Sequence, residues 1–129
     1  MYRYDVDADA RLVIATFEGE VSDADLFDYL SDMLANTRYH AGWGSLIDLT
    51  PAQAIKLTSA GIQRMRALPL YMEERLHGAR AAVLALEGSD AYDIARTYQQ
   101  MGKAAAYEVR VFSDREKAMQ WLLAERSAT

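Results

Sequence analysis

The chain has no cysteine and only two histidines, and both shortages exclude particular chemistry. Without cysteine there are no disulfides, thiolate metal sites or thiol nucleophiles. His40 and His77 lie far apart and show none of the spacings of a histidine metal motif. A G-x-S-x-G nucleophile elbow is absent. The glycines of Gly42-Trp43-Gly44 do not form a dinucleotide-binding loop, because such a loop follows a strand and this segment precedes one. We therefore expect no metal and no cofactor.

Long apolar runs are also missing. No stretch approaches the roughly 20 apolar residues of a membrane-spanning helix. Residues 1–9 alternate polar and apolar side chains and include three aspartates, which does not fit a signal peptide. We expect a soluble, cytoplasmic protein.

The composition is that of an ordinary globular protein. Of 129 residues, 51% are hydrophobic and 26% are charged. A chain of this length buries roughly two thirds of the surface that its unfolded form exposes, which is enough for a stable core without disulfides or structural metal ions. We expect a single domain over residues 1–129.

The net charge of -5 is distributed unevenly. Residues 1–36 contain nine acidic residues against two arginines, which leaves a net charge of +2 for the rest of the chain. Residues 56–80 concentrate basic side chains among apolar ones, but too few for a protein that binds duplex nucleic acid. We therefore expect no nucleic-acid partner.

Hydrophobic periodicity divides the chain into strands and helices in the order ββαβαβαβα. Alternation over residues 2–6 and a second strand at residues 12–17 predict an antiparallel hairpin. Ser22 and Asp25 have the spacing of a capping box, which predicts a helix that ends near Asn36.

The later elements are predicted from apolar runs and helix-capping residues. The run over residues 81–86 shows no alternation, which is typical of a strand covered on both faces. The other predicted elements are a strand at residues 46–49, a helix from Thr58 or Ser59 to Pro69, a helix from Ser89, an edge strand at residues 107–111, and a last helix with a Ser113–Glu116 capping box and a buried Trp121.

This order predicts an α/β fold with a mixed, mostly parallel five-stranded sheet, an N-terminal hairpin and four helices. Ligands of such sheets bind beyond the carboxyl ends of the strands, here residues 48–59 and 87–92. The polar side chains that we expect to line a ligand site at this end are Asp48, Ser59, Tyr92 and Arg96.

Several segments resemble the bacterial STAS-type proteins, in particular the anti-sigma factor antagonist-like (SpoIIAA-like) branch. The segments that carry the resemblance are the opening hairpin, Leu46-Ile47-Asp48-Leu49, Thr58-Ser59-Ala60-Gly61-Ile62, Tyr92-Asp93-Ile94-Ala95-Arg96 and the ending Glu116-Lys117-Ala118-Met119-Gln120-Trp121-Leu122. The resemblance implies a single STAS-like domain, and members of this branch often have no known activity.

In the phosphorylated antagonists of this family, the switch is a serine just before a glycine at the start of the second helix. The matching residue here is Ala60, ahead of Gly61, and it has no hydroxyl to phosphorylate. Thr58 and Ser59 precede it at positions where a helix N-cap is the expected role. A phospho-regulated antagonist is therefore an alternative that this residue argues against.

The fold of this family also resembles the CRAL-TRIO lipid-binding domains, which implies an apolar ligand or a membrane surface. After the second helix begins, basic and apolar side chains mix, a combination that suits an anionic headgroup with an acyl chain. The predicted lid, or membrane or partner surface, consists of Arg64, Arg66, Leu70, Tyr71 and Met72. The alternative is that the apolar members of this set fill the core.

We expect a non-catalytic binding or regulatory module that binds a partner protein or a small apolar or anionic, lipid-like ligand near the second helix. Peripheral membrane contact and a homodimer are both compatible with the sequence. The rival hypothesis is a small enzyme in which Asp48 acts as a base at the end of its strand. An aspartate at such a position also serves to tether the following loop.

Overall fold

The structure is a computed structural model that describes residues 1–61, 63–64, 78–101 and 108–124, with the backbone alone at residues 98 and 101. A helix begins at Ser59, and residues 59–61, 63 and 64 belong to it. The other elements are β1 (Tyr2–Asp7), β2 (Leu12–Phe17), β3 (Gly19–Ser22), α1 (Asp23–Ala35), β4 (Gly44–Asp48), β5 (Ala52–Lys56), β6 (Arg80–Leu84), α2 (Asp90–Met101), β7 (Glu108–Phe112) and α3 (Arg115–Leu123). None of the described helices is long and apolar enough to cross a membrane.

Five of these strands form the central sheet, in the order β1-β2-β4-β6-β7. β1 pairs antiparallel with β2, and the other three pairings are parallel. The predicted α/β fold with a mixed, mostly parallel five-stranded sheet is confirmed. β6 is buried along most of its length, and β7 lies at an edge, as their sequence patterns predicted.

Two short strands were not predicted. β3 and β5 form a separate parallel two-stranded sheet, with a register shift between Gly19 and Glu20. From the sequence, no element was predicted between the strand at residues 46–49 and the helix that starts at Thr58 or Ser59. β5 alternates only weakly in polarity, so its pairing with β3 is a tertiary contact that local periodicity does not reveal.

The central sheet has a core on each face. Successive side chains of a strand point to opposite faces, so Ala81 and Val83 of β6 join one core while Ala82 and Leu84 join the other. The larger core packs α1 and α2 against the sheet, and the smaller core packs α3 against the opposite face. Among the described helices, two therefore pack on one face of the sheet and one on the other.

The ends of α1 follow the sequence prediction. Ser22 Oγ accepts a hydrogen bond from Asp25 N at 3.3 Å, while the Asp25 carboxylate accepts one from Ser22 N at 2.9 Å. This is the predicted capping box, and the helix ends at the C-cap Asn36.

The predicted cap of α3 is wrong by one residue. Asp114, and not Ser113, is the N-cap, and its carboxylate accepts hydrogen bonds from the backbone N–H groups of Glu116 and Lys117. Serine and aspartate are comparable N-caps, so two adjacent candidates leave the helix start ambiguous in the sequence.

Trp121 of α3 packs against the smaller core, on the stripe where the sequence predicted a buried side chain, but it is only half-buried. Its ring packs against Phe112, with centroids 5.7 Å apart. The guanidinium groups of Arg80 and Arg110 lie 5.5 and 5.2 Å from the ring centroid. Cation–π contacts of this kind favour a ring that stays partly accessible to charged side chains.

Candidate ligand-binding site

Asp48, at the end of β4, lies where the sequence predicted a ligand site. Its Oδ1 accepts hydrogen bonds from Thr50 N at 2.9 Å and from Thr50 Oγ1 at 2.7 Å. Its Oδ2 lies 3.5 Å from Arg115 Nη1 of α3. The carboxylate is nearly buried, and both of its oxygens have partners within the protein. This is the geometry of an aspartate that tethers the following loop.

The other three predicted site residues occupy different environments. Ser59 is exposed in the first turn of its helix, and Arg96 is exposed on α2. Tyr92 is half-buried near the start of α2, where its backbone N–H donates to Ser89 Oγ at 3.2 Å. Within the described part of the chain, no hydrogen bond or ion pair joins any two of these side chains or joins one of them to Asp48.

Of the predicted lid, only Arg64 lies among the described residues. Its guanidinium group lies 5.2 Å from the centroid of the Phe27 ring on α1. The remaining members, Arg66, Leu70, Tyr71 and Met72, lie outside the described residues.

The helix that begins at Ser59 has a carboxylate at its N-terminus. Asp23 Oδ1 accepts a hydrogen bond from Thr58 N at 3.0 Å, and Asp23 Oδ2 accepts one from Thr58 Oγ1 at 2.7 Å. Thr58 Oγ1 in turn accepts a hydrogen bond from Gly61 N at 3.0 Å, which makes Thr58 the N-cap. The partial positive charge of a helix N-terminus favours an anion, and Asp23 of α1 supplies one.

Two apolar cavities lie between the sheet and the helices that cover its larger core. One has a volume of about 60 Å³ and is lined by side chains that include Met33, Tyr39, Trp43, Ala81 and Val109. The other has a volume of about 90 Å³ and is lined by side chains that include Leu26, Leu49, Ile55, Ile94 and Ala95. We call these the smaller and the larger cavity.

The two cavities are neighbours. Tyr29 and Leu30 of α1 line both of them, as do Ile47 of β4 and Val83 of β6. Because these four side chains form a shared wall, the cavities are adjacent parts of one apolar region between α1 and the sheet.

Tyr29 contributes the notable polar atom of this region. The side chain is only 2% exposed, and its hydroxyl has no hydrogen-bond partner among the described residues. Burial raises the pKa of the phenol well above its ordinary value. The nearby Ser45 hydroxyl acts on that pKa in the opposite direction but does not meet the geometry of a hydrogen bond to Tyr29. The phenol therefore stays protonated and has an unused O–H group.

The ring of Tyr29 is held by other aromatic rings. Its centroid lies 5.9 Å from that of Tyr2, 5.7 Å from that of Tyr4 and 5.5 Å from that of Phe17, each at an edge-to-face angle. Aromatic pairs prefer this arrangement, which fixes the ring against the hairpin.

Tyr29 was not among the site residues predicted from the sequence. The apolar stripe that the periodicity of α1 indicates consists of Leu26, Phe27, Leu30, Met33 and Leu34. A signal was nevertheless present, because Tyr29 is three residues after Leu26 and four before Met33, the spacing of one helix face. Its unpaired hydroxyl depends on packing against distant strands and leaves no mark in the local sequence.

Comparison with models of known protein families gives no match, and comparison with curated proteins gives none either. Among solved structures, the chain is similar to an uncharacterized protein of the DUF3478 family, with a SpoIIAA-like fold, from Shewanella loihica PV-4. The two are 18% identical, the match covers 95% of this chain and 92% of that one, and the TM-score is 0.58. The protein therefore has a SpoIIAA-like fold, as the sequence resemblance implied. The relation to CRAL-TRIO domains stays a prediction.

Proposed function

We propose that this protein is a non-catalytic binding module that holds a small apolar molecule between α1 and the central sheet. The observation that carries the proposal is the pair of neighbouring apolar cavities. Clefts with a few polar groups on an apolar wall are the usual form of small-molecule sites. A non-catalytic module also agrees with the SpoIIAA-like fold.

The cavity volumes limit the size of the ligand. Sites for drug-sized molecules measure roughly 300–1,000 Å³. An engineered apolar cavity of about 150 Å³ binds benzene or xenon. Neither cavity alone reaches this second value, so we infer a ligand no larger than about one ring. A longer, lipid-like ligand would have to extend past the described residues.

The alternative of an enzyme at Asp48 gains no support from its surroundings. Both carboxylate oxygens are engaged, one with Thr50 and one with Arg115, and a base must have a free oxygen within reach of a substrate proton. Asp48 therefore has a structural role, because it connects the loop after β4 to α3.

The proposal can be tested by titrating the protein with benzene while methyl resonances are recorded by NMR. We expect saturable shifts of the methyl groups of Leu30, Ile47 and Val83, which line both cavities. Ala95→Leu should remove the response of the larger cavity, because Ala95 is a small residue in its wall. The matched control is Thr97→Leu, an exposed site on the same helix, which should leave the response unchanged.

Shifts that grow linearly without saturating, or that are equal in both leucine variants, would overturn the proposal. Native mass spectrometry of the purified protein adds an independent readout, since a co-purified molecule would appear as a defined mass increment. A ligand whose mass exceeds that of one or two rings would show that the binding space extends past these cavities.

A further inference from the structure

β1 lies at one edge of the central sheet, and an edge strand can pair with a strand of another molecule. We propose that this edge pairs with β1 of a second copy of the protein. The two strands run antiparallel about a two-fold axis, with Tyr4 of one copy opposite Tyr4 of the other. The inference goes beyond the proposed function, because the dimer needs no ligand.

The hydrogen bonds of the hairpin determine which residues of β1 face outward. Glu18 N donates to Met1 O at 2.9 Å, and Met1 N donates to Glu18 O at 3.2 Å, so these two residues form a hydrogen-bonded pair. Such pairs alternate along an antiparallel ladder, so the odd-numbered residues of β1 bond to β2. Tyr2, Tyr4 and Val6 therefore present their backbone N–H and C=O groups to the edge.

The edge at β1 is more open to pairing than the edge at β7. Within the described part of the chain, the only outward-facing backbone group of β1 with a partner is Val6 O, which accepts a hydrogen bond from Arg38 Nη2 at 3.0 Å. A carbonyl oxygen has two lone pairs, so it can accept a second hydrogen bond. At β7, the single hydrogen of Val111 N is already donated to Gln99 Oε1 at 3.1 Å. β1 therefore keeps its capacity to pair where β7 has lost part of it.

The charges of β1 select one register. Arg3 and Asp5 are exposed and project from the face opposite Tyr4. When Tyr4 lies opposite Tyr4 of the second copy, Arg3 lies opposite Asp5 of that copy, and the symmetry forms this pair twice. These are non-hydrogen-bonded pairs, in which the side chains come closest. A shift of two residues in either direction would place Arg3 opposite Arg3 or Asp5 opposite Asp5, and like charges directly opposite are destabilising.

The side chains of β1 are compatible with this pairing. Arg3 Nη2 lies 3.2 Å from Glu18 Oε1, but the two side chains are 76% and 46% exposed, and ion pairs of such exposure contribute little. A guanidinium group has several N–H donors, so Arg3 can contact Glu18 and Asp5 of the second copy together. On the other face, Tyr2 lies opposite Val6 of the second copy, an aromatic and β-branched pair that stabilises sheets.

Exchange of the two charges tests both the surface and its register. The dimer dissociation constant is measured by sedimentation equilibrium at about 0.15 M salt, which screens the repulsion between the acidic N-terminal regions of the two copies. Arg3→Asp and Asp5→Arg each create like-charge pairs on both sides of the axis, so each should raise the constant about tenfold or more. The double variant again has opposite charges across the axis and should return the constant to the wild-type value.

The matched control is Asp9→Arg, an exposed position after β1. It changes the net charge as much as Asp5→Arg does but lies outside the paired residues, so it should not weaken the dimer. Urea unfolding of each variant verifies that the fold is retained, as expected for exposed positions. A wild type that stays monomeric at about 1 mM overturns the inference. A dimer that either single exchange leaves unchanged, or that the double variant does not restore, overturns it as well.

Amide hydrogen exchange of the wild type gives a second readout that needs no substitution. The amides of Tyr4 and Val6 should become more protected as the protein concentration rises, because they gain partners in the second copy. If the amide of Val109 on β7 gains protection instead, the copies meet at the other edge and the inference is wrong.

Discussion

A single methyl group added at residue 61 should disrupt the contact between α1 and the helix that begins at Ser59. An ideal Cβ on Gly61 would overlap the carboxyl group of Asp23. Gly61→Ala must therefore displace this carboxylate and break its two hydrogen bonds to Thr58. The stability of Gly61→Ala therefore reports on the close packing of Asp23 against this helix.

The expected cost follows from three contributions. Each lost hydrogen bond is worth about 1 kcal/mol at a partly exposed site. Loss of the carboxylate from the helix N-terminus costs a further ~0.3–1 kcal/mol. Alanine has a higher helix propensity than glycine, which returns up to about 1 kcal/mol. The net expectation is a decrease of about 1–2 kcal/mol in the free energy of unfolding.

A double-mutant cycle with Asp23→Ala makes the reasoning refutable. In the Asp23→Ala background the overlap is gone, so Gly61→Ala should stabilise the protein by up to about 1 kcal/mol through helix propensity. The measurement is urea unfolding of the four proteins, compared at equal m-values. If Gly61→Ala stabilises the wild type as much as it stabilises Asp23→Ala, the carboxylate is not packed against Gly61.

Four further predictions concern Thr58 and Ser59, Tyr29, and Trp121. Thr58 and Ser59 should stay unmodified on incubation with protein kinases, because the Thr58 hydroxyl is committed to Asp23 and the helix N-terminus already has its anion; stoichiometric phosphate in peptide mapping would contradict this. Tyr29→Phe should stabilise the protein by about 1 kcal/mol at pH 7, because it removes an unpaired buried hydroxyl. Burial raises the pKa of Tyr29 above its ordinary value of 10.0, so above that pH the unfolded chain loses a proton that the native state keeps. The free energy of unfolding of the wild type should therefore fall by up to ~1.4 kcal/mol per pH unit more than that of Tyr29→Phe. If urea unfolding at pH 8 and pH 11 gives the same change in free energy for both proteins, this prediction is refuted. Trp121→Ala should cost about 2 kcal/mol, less than the ~3–5 kcal/mol of a fully buried ring, since Trp121 is half-buried; a loss of 4 kcal/mol or more in urea unfolding would contradict this.

The central sheet was predictable because its signals are local. The hairpin alternates in polarity, and the run over residues 81–86 lacks alternation because both faces of β6 are covered. The capping box at Ser22 needs only a three-residue spacing. Order and spacing of these segments were also enough to indicate the SpoIIAA-like fold.

The candidate site was less predictable because its features depend on distant contacts. Placement of ligands at the strand ends is a general rule for α/β sheets, and it directed attention to Asp48. The cavities instead lie on the face of the sheet, where Tyr29 meets the hairpin and β4. The carboxylate of Asp23 reaches Thr58 across 35 residues of sequence, a distance that no local motif spans.

Among the described strands, β1 and β7 are the edges of the central sheet, and their side chains affect how copies of this protein meet in a concentrated solution. An unpaired edge strand can add a strand from another molecule and so begin aggregation. The exposed positions of β1 are Arg3, Asp5 and Asp7, and those of β7 include Glu108 and Arg110. Charged side chains at alternate positions oppose the docking of an apolar strand at either edge. The mixed signs in addition require a specific register of any incoming strand, so both edges disfavour amyloid-like growth.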